Sequence, residues 1–178
     1  MAHTIARAAL ISGSPSPTSK SRALLERAQR RLAALDCDAV VIDLAALAAD
    51  ALLGRRRDEQ VARAIDAVTA ARIIVASSPV YRATYSGLLK TFFDLLPQDA
   101  LVGKVGVPIL TGATVAHLLA LDHGFRPLFG SLGAISVSAG VYGCDAQFEN
   151  GPDHRLLEQV DRAIDEAVAL VPDPTRRE

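Results

Sequence analysis

The chain contains few of the residues that mark metal-binding, disulfide-linked or nucleic-acid-binding proteins. Its 178 residues include two cysteines, four scattered histidines and no tryptophan, and the net charge is −1. Nucleic-acid binding needs a basic face, which this charge balance does not supply. Cys37 and Cys144 lie far apart without ligand-like spacing to a histidine, so we expect reduced, structural thiols. We therefore expect no metal site and no nucleic-acid partner.

Long hydrophobic runs and familiar catalytic groupings are also missing. The apolar stretch within MAHTIARAALIS, residues 1–12, is too short for a signal peptide or a membrane span. We accordingly expect a cytoplasmic location and no membrane partner. No paired carboxylates, G-x-S-x-G elbow or His/Cys/Asp cluster indicates acid–base or nucleophilic catalysis.

What the sequence does contain is a regular alternation of apolar runs and segments with helical spacing. The runs of strand length are residues 6–12, 38–44, 72–78, 104–111 and 134–143. Helical spacing occupies the intervals, including 113–132, and closes the chain. Strands that are apolar on both faces and alternate with helices indicate a parallel sheet covered on both sides.

This pattern predicts a three-layer, doubly wound α/β fold of the flavodoxin-like type. We expect a five-stranded parallel sheet in the order 2-1-3-4-5, since crossovers between parallel strands are right-handed. The length suits one domain over residues 1–172, followed by a loose tail at 173–178.

Three loops after predicted strands 1, 3 and 4 share an excess of small and hydroxyl residues. They read SGSPSPTSKS, SSPVYRATYSG and LTGATVAH. In a doubly wound sheet, ligands bind outside the carboxyl ends of the strands, at the point where the strand order reverses. The three loops therefore predict a ligand site at that edge.

The first of these loops is not a Walker A loop. Six residues separate Gly13 from Lys20, and Ser19 stands where that motif needs a glycine. No aspartate ends strand 3 to hold magnesium, and one glycine does not make a dinucleotide fingerprint. Unpaired amides at the start of the first helix attract an anion, and Ser19 and Ser21 can donate from its first turn. The alternative is that Ser19 is only a helix N-cap within a polar turn.

The second loop carries two of the three tyrosines of the chain. Pro79 follows the strand, Tyr81 and Tyr85 come next, and a helix begins near Gly87. Such a loop offers a flat aromatic ligand a backbone wall, a stacking surface and N–H donors. Lys90, one turn into that helix, points either to the ligand or to solvent.

Three segments resemble the NADPH-dependent FMN reductases of the flavodoxin-like superfamily. They are GSPSPTSKS, SPVYRATYSGLLKTFFDLLP and GKVGVPILTGATVAHLLALDHGFRPLFGSLGA. The likeness runs from about residue 8 to 145, and the block 78–127 is its specific part. It is strongest to the small reductases of alkanesulfonate- and methanesulfonate-type two-component monooxygenase systems.

This resemblance implies an activity and its cofactors. The cofactors would be FMN and NADPH, with NADH as an alternative donor. Hydride would pass from the nicotinamide to flavin N5, and reduced FMN would be released to a flavin-dependent monooxygenase of sulfonate metabolism. The resemblance also implies a homodimer or homotetramer.

The resemblance further implies which residues bind the flavin. Four serines match the phosphate loop: Ser12, Ser14, Ser19 and Ser21. The segment around the isoalloxazine ring is matched by Pro79, Val80 and Tyr81, with Tyr85 and Ser86 nearby. The turn bordering the same ring is matched by Thr111, Gly112 and Ala113. No catalytic acid or base is implied, because hydride moves between two cofactor rings.

His123 stands where the alkanesulfonate-linked relatives look to carry an inserted tyrosine. In that family the insertion makes a π-bulge at a tetramer interface near the flavin. A histidine there resembles the methanesulfonate-linked branch. His123 either modulates assembly or flavin release, or is an interfacial residue without a chemical role. His117 is expected to be a packing or surface residue.

Two further functions stay open. One is a quinone, azo or metal-ion reductase of the same fold that keeps FMN bound, which the flavin dissociation constant and steady-state pattern would reveal. The other is a flavodoxin-like electron carrier or flavin-binding protein without NADPH activity of its own. Flavodoxins usually have a more acidic surface than a net charge of −1 provides.

Overall fold

A parallel β-sheet forms the centre of residues 6–171, which are the residues that the computed structural model describes. The strands are β1 (Arg7–Ser12), β2 (Asp38–Asp43), β3 (Ile73–Pro79), β4 (Val105–Gly112), β5 (Ile135–Ser136) and β6 (Val141–Cys144). Their order is β2-β1-β3-β4-β5, every pairing is parallel, and β6 also pairs with β4. The predicted α/β fold and strand order are confirmed.

Helices cover both faces of the sheet. They are α1 (Lys20–Ala34), α2 (Ala49–Leu52), α3 (Glu59–Ala70), α4 (Gly87–Phe93), α5 (Arg126–Ser131) and α6 (His154–Leu170). On one face, Leu24 of α1 and Leu156 of α6 pack in a buried cluster with alternate residues of the central strands. On the other face, the buried cluster includes Val68 of α3, Phe92 of α4 and Phe129 of α5.

Helix α1 is fixed along α6 by two forked ion pairs. Arg31 donates from Nε and Nη2 to the carboxylate of Asp165, at 2.7 and 2.9 Å. Arg27 makes the same paired contact with Asp161. Bidentate guanidinium–carboxylate pairs fix geometry as well as adding attraction. Helix α1 is therefore held in a defined position along α6, with its N-terminus at the carboxyl edge of the sheet.

The strand predicted at 134–143 is divided into β5 and β6, so the sheet has six strands rather than five. The two pieces pair with β4 on either side of Pro108, which has no N–H to donate to a ladder. Between β5 and β6, side chains provide hydrogen bonds to the backbone. Arg126 donates to the carbonyls of Val137 and Ser138, and Glu166 accepts from the Ser138 amide.

The segment 113–132, predicted as one helix, is three helical pieces of different pitch. A 3₁₀ helix spans Val115–Leu119, a π-helix spans Leu121–Phe125, and α5 follows. A π-helix accommodates one extra residue per turn, and such turns occur often at functional sites. The wide turn that the family resemblance implied at His123 is confirmed.

Some expectations fall outside what the structure describes. The tail predicted at 173–178 lies beyond the described residues, and the single domain over 1–172 stays a prediction. Among residues 6–171, no helix combines the length and the apolar character that crossing a bilayer would require.

Candidate functional site

The serine-rich loop after β1 leads directly into the N-terminus of α1. Ser12 and Ser14 are buried, and Ser14 Oγ accepts a hydrogen bond from the Ser16 amide at 3.1 Å. Ser19 is the N-cap of α1, since its Oγ accepts from the Arg22 amide at 3.2 Å. Ser19 Oγ also lies 3.2 Å from the hydroxyl of the fully buried Ser21. The capping role is thus real, and it places both hydroxyls in the first turn.

The electrostatics of this turn favour an anion. The fifteen-residue helix has no acidic residue in its first turn. Its dipole is equivalent to roughly half a positive charge at this end. Lys20 adds a cation, although its Nζ is 2.9 Å from Asp145 and 5.5 Å from the centroid of the Phe148 ring. A phosphate monoester fits this combination of helix amides, hydroxyls and positive field.

The loops after β1 and β3 are tied together by short polar contacts. The Gly13 amide donates to the Ser77 carbonyl at 2.8 Å, and Ser86 Oγ donates to the Gly13 carbonyl. A Cβ on Gly13 would lie 2.8 Å from Leu89 Cβ, so only glycine allows this close approach. Ser86 also caps α4 by accepting from the Leu89 amide. The hydroxyl of Ser86 therefore supports the loop rather than remaining available to a ligand.

The predicted ring segment meets the turn after β4 at the same edge. The Val80 amide donates to the Thr111 carbonyl at 2.7 Å. Pro79 and Val80 are half-buried, whereas the Tyr81 side chain is exposed at the rim. Thr111 is buried, and the chain becomes exposed by Ala113. The structure thus brings the three predicted segments together at the carboxyl ends of β1, β3 and β4.

A tight turn projects the tip of the ring segment. Tyr81 and Thr84 exchange backbone hydrogen bonds of 2.8 and 3.3 Å across Arg82 and Ala83. Both central residues have positive φ, 48° and 73°. This conformation costs a residue other than glycine roughly 1–2 kcal/mol. Strain of this kind persists where the surrounding structure enforces it, often at ligand sites.

The other predicted residues of this loop face different surroundings. Tyr85 is half-buried, and its ring lies 5.4 Å from that of Phe125 in the π-helix. Burial raises the pKa of the Tyr85 phenol, and the nearby Lys90 partly opposes that shift. Lys90 is exposed and forms an ion pair with Asp94, which agrees with its solvent-facing alternative.

Tyr142 was missed by sequence reasoning although it shapes the turn after β4. The Tyr142 hydroxyl donates to the Thr114 carbonyl. A Cβ on Gly112 would lie 2.4 Å from the Tyr142 hydroxyl oxygen, so only glycine fits there. Burial raises the pKa of the Tyr142 phenol. The available signal was that the third tyrosine of the chain also falls at the end of a predicted strand.

Two buried hydroxyls near these loops have no hydrogen-bond partner among the described residues. They are Ser77 Oγ, at the end of β3, and Thr84 Oγ1. A Cβ on Gly124 of the π-helix would lie 2.3 Å from Thr84 Oγ1, so the ring segment and the π-helix are in close contact. His117 and His123 are both exposed. Within residues 6–171, no group of three or more potential ligand side chains is placed to hold a metal ion.

Two grooves of the described residues lie away from the three loops, one between α1 and the edge strand β2 and the other beside the start of α3. Their volumes are about 370 Å³, next to α1, and about 640 Å³, next to the start of α3. Each groove contains an arginine that is paired with a carboxylate, Arg22 with Asp43 and Arg56 with Asp50. Neither groove contains the buried hydroxyls, so we place the candidate site at the three loops.

The sheet order and this loop arrangement define a class, the flavodoxin-like α/β proteins that bind a phosphorylated ligand at the carboxyl edge of the sheet. The family model described as NADPH-dependent FMN reductase matches residues 6–149. This chain belongs to that family.

Individual relatives agree with the family assignment. The chain is 40% identical over 142 residues to an FMN reductase (NADPH) of Escherichia coli K12, covering 79% of this chain and 74% of that one. It is 31% identical to the NADH-dependent FMN reductase SfnF of Pseudomonas putida, over 94% of both chains. The solved apo structure of the NADH:FMN oxidoreductase EMOB superposes with a TM-score of 0.88 at 35% identity, covering 96% of this chain and 92% of that one.

Proposed function

We propose that this chain reduces FMN with a hydride taken from NAD(P)H. The observation that carries the proposal is the junction of three loops at the α1 N-terminus, in a chain that belongs to the FMN reductase family. Relatives that use NADPH and relatives that use NADH both match. We take NADPH as the donor because the family model names it.

The flavin phosphate is assigned to the loop serines and the isoalloxazine ring to the other two loops. Ser12, Ser14, Ser19 and Ser21 surround the start of α1, where the dipole and buried hydroxyls favour a dianion. The ring segment Pro79–Tyr81 and the turn Thr111–Ala113 flank the ring, with Tyr85 and Ser86 fixing the loop behind them. Bound FMN supplies the hydride acceptor, so the protein contributes orientation and exclusion of water and no acid or base.

Titration of FMN into the purified apoprotein tests this function. Flavin fluorescence gives the dissociation constant, and nicotinamide absorbance gives turnover with NADPH and NADH. We expect saturable FMN binding and FMN-dependent oxidation of the nicotinamide. A chain that takes up no flavin and oxidises no nicotinamide would contradict the proposal. Tightly bound FMN that does not exchange, together with turnover of quinones, would favour the quinone, azo or metal-ion reductase that keeps FMN bound. Flavin binding without nicotinamide oxidation would favour the flavodoxin-like electron carrier.

Delivery of reduced FMN to a sulfonate-type monooxygenase is part of the same proposal. Its support is the resemblance of block 78–127 to reductases of such systems. A cytoplasmic location is proposed with it, since Cys37 and Cys144 are both free thiols in the structure. We also propose that residues 1–172 form one domain.

Self-association is proposed through the face around the π-helix. Val115, Leu118 and Leu119 leave large apolar side chains exposed just before that helix, at 66%, 44% and 60%. Exposed apolar groups that adjoin one another often mark protein interfaces. A homodimer or homotetramer would cover them. Analytical ultracentrifugation should then give a mass of two or four chains.

The His123→Ala variant tests the role of the π-helix in this assembly. We expect stopped-flow hydride transfer to stay within about threefold of the wild-type rate, because hydride passes between two cofactor rings and His123 supplies no acid or base. A tenfold change in rate would correspond to a change of ~1.4 kcal/mol in the barrier. Oligomer mass or the rate of flavin release should change instead, since His123 is exposed on the turn beside the apolar face. His154→Ala, on the exposed start of α6, is the control. Loss of the hydride-transfer step itself would reverse the assignment.

A further inference from the structure

Ser77 has a buried hydroxyl that the fold does not use. Its side chain is 1% exposed, and Oγ has no hydrogen-bond partner among the described residues. The backbone carbonyl of Ser77, by contrast, accepts from the Gly13 amide at 2.8 Å. The backbone contact would survive any small side chain, so it does not explain the hydroxyl.

The strand register places this hydroxyl on the α1 face of the sheet, at the carboxyl end of β3. Ser77 pairs directly with Ser12 of β1, and paired residues of neighbouring strands share a face. Val75, two residues earlier in β3, belongs to the buried cluster that contains Leu24 of α1. Ser77 therefore lies on the α1 side of the sheet, at the carboxyl end. Ser21, in the first turn of α1, is fully buried there as well.

The neighbouring Ser78 shows what a structural serine does at this edge. Its side chain lies on the opposite face, where Oγ accepts from the Ser86 amide at 2.8 Å and donates to the Pro79 carbonyl at 2.8 Å. Ser78 is fully engaged in holding the ring segment. The contrast between two adjacent serines, one satisfied and one not, separates a structural hydroxyl from one that awaits a partner.

An unsatisfied buried hydroxyl is costly, because it has lost its hydrogen bonds to water without replacement. Alanine would occupy nearly the same space without that cost. A hydroxyl kept in such a place commonly has a ligand, water or ion as its partner. The group proposed above for this edge is a phosphate dianion held by the amides at the start of α1.

We propose that Ser77 Oγ donates a hydrogen bond to the phosphate of FMN, from below the α1 N-terminus. This inference rests on the proposed function and adds a residue to its phosphate site. Ser12 and Ser77 would then present adjacent hydroxyls from neighbouring strands, while Ser19 and Ser21 donate from the helix.

Comparison of FMN with riboflavin, which lacks the phosphate, tests the assignment. We expect Ser77→Ala to raise the Kd for FMN by roughly 10-fold or more, as for a lost hydrogen bond to a charged group, and to leave the Kd for riboflavin unchanged. The melting temperature of the apoprotein should stay the same or rise, because the unsatisfied hydroxyl is gone. Ser77→Cys keeps a weaker hydrogen-bond donor, so its Kd for FMN should lie between those of the wild type and Ser77→Ala.

Ser78→Ala is the matched control. It leaves the buried Ser86 amide without its acceptor, so we expect a lower melting temperature of the apoprotein. Its ratio of FMN to riboflavin affinity should stay as in the wild type, because Ser78 lies on the face away from α1.

The outcomes separate this inference from the function on which it rests. An unchanged FMN-to-riboflavin affinity ratio in Ser77→Ala, or equal weakening of both flavins, overturns the role of Ser77 while the reductase proposal stands. A wild-type chain that binds FMN no better than riboflavin overturns the phosphate site as a whole. A wild-type chain that binds neither flavin overturns the proposed function.

Discussion

Replacing Ser19 and Ser21 together by alanine should weaken FMN binding by about 2–4 kcal/mol, or roughly 30- to 1,000-fold in Kd. Each hydroxyl is expected to donate to the phosphate, and hydrogen bonds to charged groups are the stronger kind. The two oxygens lie 3.2 Å apart in the first turn of α1, close enough to serve one phosphate. Fluorescence titration of the double variant with FMN measures the loss.

The same double variant also removes the N-cap of α1, so stability must be separated from affinity. Loss of an N-cap costs about 0.5–2 kcal/mol of folding free energy. Asp58→Ala removes the N-cap of α3, where the carboxylate accepts from the Gln60 and Val61 amides on the opposite face of the sheet. It should lower stability to a similar extent and leave FMN affinity as it was. An unchanged Kd in the serine variant would place the phosphate elsewhere.

Phe129→Ala should lower the free energy of unfolding by about 3–5 kcal/mol, the range for deleting a buried aromatic ring. Phe129 is fully buried in α5, and its ring lies 5.4 Å from Phe125 and 6.0 Å from Phe93. It therefore joins the π-helix, α4 and the sheet. Urea unfolding of the apoprotein at fixed protein concentration measures the effect.

A double-mutant cycle with Gly106 makes the test specific to this contact. A Cβ on Gly106 would lie 2.8 Å from Phe129 Cδ2, so Gly106→Ala alone should cost about 1–3 kcal/mol through overpacking. In the Phe129→Ala background the added methyl should cost much less, because it enters the vacated space. Leu53→Ala, at a 56% exposed position, should change stability by less than about 0.5 kcal/mol. If the changes in free energy of unfolding of Gly106→Ala and Phe129→Ala simply add in the double variant, the packing described here is contradicted.

Local pattern was sufficient to predict most of the sheet. Parallel strands buried on both faces read as continuous apolar runs, so β1, β3 and β4 were predicted at their observed positions within a residue or two. The last strand was only partly predictable. Its division depends on Pro108 in a neighbouring strand and on Arg126 and Glu166 from two helices, none of which lies in the run itself.

The candidate site shows the same division between local and tertiary information. The hydroxyl-rich loops can be recognised in the sequence as a candidate ligand site, because a purely structural connection needs neither five serines in ten residues nor two tyrosines. The loops cannot reveal which hydroxyls are already engaged. Ser86 and Ser77 look alike in the sequence, yet one is satisfied by Gly13 and Leu89 and the other has no partner among the described residues.

Sequence pattern alone was enough to predict the layered α/β fold and the family of the chain, and it indicated the edge at which we propose that a ligand binds. These follow from periodicity and from motifs that lie within single segments. The side chains that support the loops, and those without a partner among the described residues, could be identified only from the folded chain, because a hydrogen bond or a steric contact depends on residues distant in the sequence. Neither the hydrogen bonds of Gly13 with Ser77 and Ser86 nor the close contact of Gly112 with Tyr142 could be predicted from the sequence. Both depend on segments that are distant in the chain and adjacent in the fold.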